Sequence, residues 1–162
     1  MPTVTDCCNI LLIVVAFVLL MSLIPKCVVM LRQVSNDSVL ESRDKFDLAT
    51  QKGKHVVLFL DVENCYYSKK FVGKDGKENI NHWQKIQKDA TIDEKIHFHT
   101  VECNMRKAGG WEHELKVDGK KAVAGYPTSL YVDNGRIVGT IVGAVPHDQF
   151  VKRLNEMMMS AK

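Results

Sequence analysis

Two side chains near the middle of the chain, Cys65 and Ser68, have types and spacing that suit thiol chemistry. They stand in a Cys-Tyr-Tyr-Ser motif that follows a dense apolar run over residues 55–62 and precedes a helical pattern. A cysteine at a strand-to-helix turn lies beside free backbone N–H groups and at the positive end of the helix dipole, which both favour the thiolate. Since the thiolate is the nucleophile of disulfide exchange, Cys65 is the candidate reactive group.

Ser68 stands where a second cysteine would complete a dithiol motif. Its hydroxyl can donate a hydrogen bond to the Cys65 thiolate, but it cannot form a disulfide with it. A mixed disulfide on Cys65 would therefore need glutathione, a second substrate thiol or another protein for its release. This suits isomerisation or retention of a client protein better than net reduction.

The remaining cysteines do not extend this site. There are five in total, at positions 7, 8, 27, 65 and 103, and no two have the Cys-x-x-Cys spacing of a zinc site or a dithiol centre. Cys103 ends a predicted strand, where a cysteine commonly packs as a small hydrophobe. His97 and His99 share one face of that strand, but no third ligand is evident, so we expect a solvated face and no metal site.

The hydrophobic pattern predicts the order α-β-α-β-α-β-β-α. A parallel βαβ unit followed by a closing hairpin indicates an α/β fold with a mixed central sheet flanked by helices. The Asn134-Gly135 pair between apolar runs favours a tight hairpin turn. The predicted elements are a helix over 36–51 with Ser35 or Asn36 as N-cap, a strand over 55–62, a helix from 65 that is interrupted at 73–76 and resumes over 80–89, a strand over 96–103, a short helix over 112–117, strands over 122–132 and 137–145, and a last helix from 146.

This order, together with the residues at its two key turns, resembles the thioredoxin superfamily over residues 44–158. The apolar strand before Cys65-Tyr-Tyr-Ser68 looks like the family's first strand and active-site turn, and residues 100–104 resemble the end of its next strand. Gly-Tyr126-Pro127-Thr resembles its cis-proline loop. The resemblance implies a thioredoxin-like fold, a cis bond before Pro127, and substrate binding by the Tyr126 backbone and Pro127.

Three positions depart from the family pattern: Ser68 replaces the resolving cysteine, Asn64 stands where tryptophan is usual, and Phe59 stands where an acidic group is often buried. These departures are closer to the Cys-x-x-Ser members of the disulfide isomerase group, such as the anterior gradient proteins. Two functions stay open: single-cysteine thiol–disulfide exchange or isomerisation on client thiols and disulfides, and a non-enzymatic adaptor that binds client proteins. A glutathione-dependent monothiol protein is a third, and whether the chain is an enzyme stays undecided.

The N-terminal region predicts a membrane anchor. Residues 10–24 carry no charge but are a little short of the roughly 20 residues that span a bilayer. Extending the stretch to residue 31 reaches that length, provided that the Lys26 side chain extends toward the lipid head groups. A cleaved signal peptide and a buried core helix are the alternatives, but residues 1–9 lack the basic group of a signal peptide. We therefore expect a tail over 1–9, an anchor over 10–31, a linker and helix start over 32–43, and a thioredoxin-like domain over 44–160.

The side of the membrane stays open. Lys26 and Arg32 follow the apolar segment and Asp6 precedes it, which by the positive-inside rule places the domain in the cytosol. The sequon Asn36-Asp-Ser38 favours a lumen instead. The net charge is only +3, from 22 basic and 19 acidic residues that are scattered along the chain, so nucleic acid is not an expected partner.

Overall fold

The computed structural model describes residues 37–76, 80–106 and 109–161. The apolar segment 10–31, the sequon residue Asn36 and the three N-terminal cysteines lie outside the described residues. Within the described residues, no helix has the length and apolar character needed to cross a membrane. The elements are β1 Asp37–Val39, α1 Arg43–Thr50, β2 Lys54–Leu60, α2 Tyr66–Phe71, α3 His82–Gln87, β3 Ile96–Glu102, a 3-10 helix Trp111–Glu114, β4 Lys116–Val117, β5 Lys120–Lys121, β6 Thr128–Asp133, β7 Arg136–Val142 and α4 His147–Ser160.

A five-stranded mixed sheet organises these elements, in the order β1-β3-β2-β6-β7. β1 and β2 both pair with β3 in parallel, whereas β6 pairs with β2 and β7 with β6 in antiparallel fashion. The strands β4 and β5 form a separate small ribbon. The expected α/β fold with a mixed sheet is confirmed, and the central position of β2 places its carboxyl end, where Cys65 follows, in the middle of the sheet edge.

Both faces of β2 are buried, as its unbroken apolar run predicts. Val56 and Leu58 face a core formed with α2, α3 and α4, whereas Val57 and Phe59 face a second core formed with α1 and the 3-10 helix. Because successive strand side chains point to opposite faces, one strand is covered by both layers. The site at its end is therefore built on a rigid element.

The predicted helix over 36–51 is wrong in its first part. Residues 37–39 form the edge strand β1, paired with 98–100 of β3, and the helix begins only at Arg43. Ser42, and neither Ser35 nor Asn36, is the N-cap, and its Oγ accepts the N–H of Lys45 at 3.3 Å. Residues 37–39 are a strand because they pair with β3, which is distant in the chain. The spacing of apolar residues within the segment does not indicate that pairing.

Most of the other expected elements are confirmed with small shifts at their ends. The strand expected over 122–132 is the exception: it begins only at Thr128, because the residues before it form the loop with the cis Tyr126–Pro127 bond. The helix after Cys65 is interrupted and resumes, as α2 and α3. The hairpin turn between β6 and β7 consists of Asn134 and Gly135, both with positive φ, at 49° and 79°. This is the conformation that favours Asn-Gly in two-residue hairpins. The predicted short helix over 112–117 is a 3-10 helix that ends at Glu114, after which the chain extends into β4.

Candidate functional site

Cys65 is the N-cap residue of α2, at the turn that follows the central strand. Its backbone is extended, with φ −107° and ψ 113°, and its N–H donates to the carbonyl of Asp61 at 3.1 Å. The thiol is half-buried and free of any disulfide. This is the strand-to-helix position that the sequence predicts.

The sulfur of Cys65 lies against the loop before β6. Its Sγ donates to the backbone carbonyl of Tyr126 at 3.3 Å, and the Tyr126–Pro127 peptide bond is cis, as expected. Residues separated by 61 positions in the chain are thus in direct contact. The structure brings three of the four predicted site residues, Cys65, Tyr126 and Pro127, to one place.

Ser68, the fourth, is fully buried on the first turn of α2. Its Oγ accepts the backbone N–H of Asp61 at 3.2 Å, so the hydroxyl joins the helix to the end of β2. A cysteine in its place would bring a thiol to the same buried turn. Ser68 therefore lies inside the turn that carries Cys65, with a structural contact of its own.

Asp61 is a residue of the site that sequence reasoning missed, and it holds the turn in place. Its side chain is inaccessible to solvent, yet its carboxylate accepts the N–H groups of Glu63 at 3.0 Å, Asn64 at 2.9 Å and Met105 at 2.7 Å, together with the side-chain amide of Asn64. Burial alone would raise the pKa of this carboxyl, but the hydrogen bonds from Met105, Asn64 and Glu63 outweigh it and hold the pKa below its usual value. An aspartate directly after an apolar strand and before a turn was the available signal.

The same contacts explain Asn64, one of the departures from the family pattern. Its Nδ2 donates to both oxygens of Asp61, at 3.2 and 3.1 Å, and lies 3.5 Å from Oδ1 of Asn104. The Oδ1 of Asn104 also accepts the N–H of Arg106 at 3.0 Å. A polar network thus connects the Cys65 turn to the loop after β3, in the place where the family usually has a tryptophan.

Phe59 fills the position where the family often buries an acid. The ring is fully buried and packs on Phe46 and Trp111, with ring centroids 6.2 and 5.7 Å away. The buried carboxylate nearest in sequence is Asp61, two residues closer to the turn. The site therefore has a buried acid that is hydrogen-bonded both by the turn itself and by Met105 of the loop after β3.

Behind the Tyr126 loop lies a second polar cluster, formed by Glu112, Tyr126 and Cys103. The hydroxyl of Tyr126 donates to Oε1 of Glu112 at 2.9 Å. The Cys103 thiol donates to the carbonyl of Val101 at 3.8 Å and lies near enough to Glu112 and Tyr126 for both to affect its pKa. Burial, and then the Glu112 charge, raise the pKa of the Cys103 thiol to about 12. Burial likewise raises the pKa of the Tyr126 hydroxyl. Cys103 is therefore a protonated thiol at neutral pH and a poor nucleophile.

The surface around Cys65 is aromatic. Tyr66 and Tyr67 are about half exposed and pack edge to face, with ring centroids 5.6 Å apart, and Met105 is exposed on the neighbouring loop. Such side chains offer apolar contact area with a polar handle. Exposed aromatic and methionine side chains therefore lie next to Cys65 in the chain and on the neighbouring loop.

The histidines of β3 do not share a solvated face, contrary to expectation. His99 is buried and its Nε2 lies 3.0 Å from Nδ1 of His55, while its Nδ1 hydrogen-bonds Ser38 of β1. Only His97 is exposed, stacked on His55 with ring centroids 5.3 Å apart. Across the described ranges, no group of three or more His, Cys, Asp or Glu side chains is arranged to hold a metal ion.

Comparisons with known proteins agree with this architecture. A family model described as a thioredoxin-like domain matches residues 42–158. Similar solved structures include a thioredoxin from Malassezia sympodialis, with a TM-score of 0.51, 19% identity, and coverage of 76% of this chain and 95% of that one. Another is thioredoxin from Trypanosoma brucei brucei, with a TM-score of 0.51, 17% identity, and coverage of 75% and 89%. No curated protein sequence matches significantly. Because the two solved structures are only 19% and 17% identical to this chain, they support the fold alone.

Proposed function

This chain belongs to the thioredoxin-like domain family, and from that premise we propose that it performs thiol–disulfide exchange through the single thiol of Cys65. Family membership is consistent with thiol–disulfide redox chemistry. One observation carries the finer assignment: the sulfur of Cys65 lies at the start of α2 and 3.3 Å from the carbonyl of Tyr126. A thiol in that place can attack a client disulfide while the neighbouring Tyr126 backbone binds the extended client strand that carries the disulfide.

The exchange needs no metal or organic cofactor. The Cys65 thiolate attacks one sulfur of a client disulfide, the client S–S bond breaks, and a mixed disulfide forms while the other client sulfur leaves as a thiolate and takes a proton from water. If a second client thiolate then attacks the client sulfur of the mixed disulfide, a new client disulfide forms and Cys65 leaves as a thiolate. No net oxidation occurs, so the cycle is an isomerisation.

Glutathione is the other route of release. Its thiolate can attack the client sulfur of the mixed disulfide, which frees Cys65 and leaves the client glutathionylated. Cys103 is not proposed as the resolving thiol, because its pKa of about 12 keeps it protonated. Net disulfide reduction by this chain alone is disfavoured, since Ser68 cannot complete it.

Ser68 and Tyr126 have supporting roles in this proposal. The Ser68 oxygen accepts the N–H of Asp61 through a lone pair, which leaves its O–H proton for the Cys65 thiolate. The backbone of Tyr126, and Pro127 after it, would align the client strand beside the sulfur. Both roles depend on a turn that is held rigid by Asp61.

A non-enzymatic adaptor is the second candidate. It is favoured by the exposed pair Tyr66 and Tyr67 beside Cys65 and by the apolar Phe59 where the family often has an acid. Such a surface can bind a client without turnover. The two candidates differ in whether binding depends on the sulfur of Cys65.

The test is to trap mixed disulfides in cells that express the full-length chain. Cells are quenched with acid and alkylated, and adducts of the chain are separated without reductant. We expect adducts with the unaltered chain and none with Cys65→Ala. Cys103→Ala is the matched control, because it removes the other thiol of the same domain and should leave the adducts in place.

The outcomes separate the candidates. Adducts that persist in Cys65→Ala, or no adducts in either chain, would exclude exchange at Cys65. Client proteins that co-purify equally with both chains would then support the adaptor. Adding glutathione to purified adducts should release the client if glutathione is the resolving thiol, and a client dithiol should release it without glutathione if isomerisation is the cycle.

We also propose that residues 10–31 tether this domain to a membrane as a single span. The support is their composition: residues 10–24 are uncharged, and with the apolar residues after Lys26 the segment reaches the length of a bilayer span. The full-length chain should stay with membranes after alkaline carbonate washing, and a chain lacking 10–31 should not. Asn36→Gln then reports the side: a glycan that the unaltered chain carries and this variant lacks places the domain in a lumen, and a bare Asn36 favours the cytosol.

A further inference from the structure

We propose that Glu112 is a positioning residue for exchange at Cys65, because it fixes the loop whose Tyr126 carbonyl meets the sulfur. This inference rests on the proposed function and deepens it. It assigns to the 3-10 helix before β4 a part in client binding, although that helix does not touch Cys65. Neither the family resemblance nor the sequence pattern singled out Glu112.

The contact between Glu112 and Tyr126 is well formed. The phenol O–H donates to Oε1 of Glu112 at 2.9 Å, and the Glu112 residue is only 6% exposed. A hydrogen bond between a hydroxyl and a carboxylate is stronger than one between neutral groups. Losing it would leave a buried carboxylate without the Tyr126 hydroxyl as a partner, which lowers the stability of the folded protein. The side chain of Tyr126 is thus anchored from outside its own loop.

Gly110 leaves space for the Glu112 carboxyl because it has no side chain. A Cβ on Gly110 would overlap both carboxyl oxygens of Glu112. Gly110 has φ −61° and ψ 141°, which any residue adopts, so backbone conformation does not require glycine here. Space for the Glu112 carboxyl is the physical reason for a glycine at this position.

The hydrogen bond from Tyr126 to Glu112 acts on a loop that two further hydrogen bonds hold, one within the loop and one from the residue after β7. The hydroxyl of Thr128 donates to the carbonyl of Gly125 at 2.7 Å, and Gly143 donates its N–H to the carbonyl of Pro127 at 2.8 Å. These bonds hold the ends of the turn. The Tyr126 residue between them is held by its hydroxyl on Glu112 and meets the Cys65 sulfur with its carbonyl 3.3 Å away.

Glu112 could instead serve merely to stabilise the fold, or to exchange protons with the site. The Glu112→Gln variant separates these roles from positioning. The introduced glutamine would keep an oxygen that accepts the Tyr126 O–H but would carry no charge and transfer no proton. A role in positioning therefore survives Glu112→Gln, whereas a role in proton transfer does not.

The experiment compares two reactions of Cys65 in the full-length chain, each quantified at Cys65 by mass spectrometry. The first is attack on an extended peptide whose cysteine is activated as its thionitrobenzoate disulfide, which gives the Cys65–peptide disulfide and releases thionitrobenzoate. The second is alkylation by iodoacetamide, which needs no contact with the Tyr126 backbone. The ratio of the two rates reports peptide alignment, because a general loss of thiol reactivity lowers both.

We expect the ratio to fall roughly tenfold in Glu112→Ala and Tyr126→Phe, the size expected for one lost hydrogen bond of this kind. Gly110→Ala should lower it in the same direction, because the new methyl group displaces the carboxyl. Glu112→Gln should stay within about twofold of the unaltered chain, as should Glu114→Ala, the matched control, which removes an exposed carboxyl from the same 3-10 helix.

Two results would overturn the inference. One is an unchanged ratio in Glu112→Ala, whether both rates stay the same or fall in parallel; the other is a ratio in Glu112→Gln as low as in Glu112→Ala. The carbonyl 13C chemical shift of Tyr126 gives a readout that is independent of exchange. If the unaltered chain forms no peptide disulfide but this shift changes in Glu112→Ala and not in Glu112→Gln, the proposed function fails while the positioning contact stands. If the peptide reacts and neither ratio nor shift changes, the function stands and the positioning role fails.

Discussion

The carboxylate of Asp61 accepts the backbone N–H of Met105 at 2.7 Å, across 44 positions of the chain. This bond joins the turn that carries Cys65 to the loop that follows β3. Because the same carboxylate also accepts the N–H groups of Glu63 and Asn64, one buried side chain fixes the geometry of both segments. Asp61 therefore stabilises the site by holding these two segments together, and its carboxylate bonds to these backbone N–H groups rather than to the sulfur of Cys65.

Asp61→Asn should lower the free energy of unfolding by roughly 2–3 kcal/mol, the range for hydrogen bonds to a buried charged group. The asparagine keeps one acceptor oxygen, but its amide would face a backbone donor, so at least one buried N–H loses its partner. Urea denaturation measures the change. Glu102→Gln, which alters an exposed carboxyl at the end of β3, should change stability by less than about 0.5 kcal/mol, and an equal effect of both variants would contradict the prediction.

Ser68→Cys should convert the site into a dithiol. The new thiol lies on the first turn of α2, three residues after Cys65, in the spacing that allows attack on a Cys65 mixed disulfide. We expect the adducts of the unaltered chain to become short-lived and an intramolecular disulfide to form between Cys65 and the introduced cysteine, seen as the loss of two hydrogens by mass spectrometry. Ser68→Ala also removes the hydroxyl that accepts from Asp61 but adds no thiol, so its adducts should persist. Persistent adducts in the cysteine variant would argue against this geometry.

Cys103 should resist alkylation in the native protein, while Cys65 reacts. Burial, and then the Glu112 charge, raise the pKa of Cys103 to about 12, so at pH 8 its thiolate is a very small fraction. Iodoacetamide labelling followed by peptide mapping measures both sites in one sample. In denaturant Cys103 should react as an ordinary thiol, which is the control for the reagent. If iodoacetamide labels Cys65 and Cys103 equally in the folded protein, the prediction that Cys103 is protected is wrong.

A chain of three hydrogen bonds crosses the first strands of the sheet. The Nε2 of His55 lies 2.8 Å from the carbonyl of Lys52, Nδ1 of His55 lies 3.0 Å from Nε2 of His99, and Nδ1 of His99 bonds Ser38. A carbonyl can only accept, so Nε2 of His55 carries a proton. With both rings neutral, each then donates from Nε2 and accepts at Nδ1. A second proton on His55 would place two N–H donors face to face, whereas one on His99 would require the Ser38 hydroxyl to turn and accept.

The protein should therefore lose stability as the pH falls below neutral. Burial, followed by the charges of His55 and His97, lowers the pKa of His99 to about 4, and burial also lowers that of His55, against the opposing effects of the Lys52 carbonyl and of Asp133 on β6. Because these folded-state values lie below the unfolded value near 6.5, their contribution is complete above about pH 6.5 and is lost as the pH falls toward 4. Roughly 2–3 kcal/mol should be lost in this window.

His99→Phe is the variant that tests this source of pH dependence. It removes the buried titrating ring, so the slope of unfolding free energy between pH 6.5 and 4 should flatten. His97→Gln alters the exposed histidine on the same strand and should retain most of the slope. Thermal or urea unfolding at several pH values gives both slopes, and a slope that is equal in the two variants would exclude His99 as the main source.

The fold could be predicted in most respects because its signals are local or nearly so. The unbroken apolar run of β2, the Asn134-Gly135 turn and the apolar face of α4 each identify an element by its own residues. The exceptions were residues 112–117, where a 3-10 helix is followed by β4, residues 122–127, which precede β6, and the segment at 37–39. The strand at 37–39 forms only because β3 is available as a partner, and three residues carry too little pattern to indicate this.

The candidate site divides in the same way. Cys65 and Ser68 could be named from their spacing at a strand-to-helix turn, and Tyr126 and Pro127 from the resemblance of their loop to the family's cis-proline loop. Glu112 could not, since its part depends on meeting the Tyr126 hydroxyl, and the intervening loop gives no periodicity that would place it there.

By itself the sequence determined that a lone thiol starts a helix after a buried strand, and that no second cysteine stands three residues later. Those facts are local, and they set what chemistry is possible. Only the tertiary structure decided that the sulfur of Cys65 meets the Tyr126 carbonyl, that Asp61 is buried and satisfied, and that Cys103 is a protected thiol. Each of these depends on groups far apart in the chain, whose distances and burial are set by packing of the two cores.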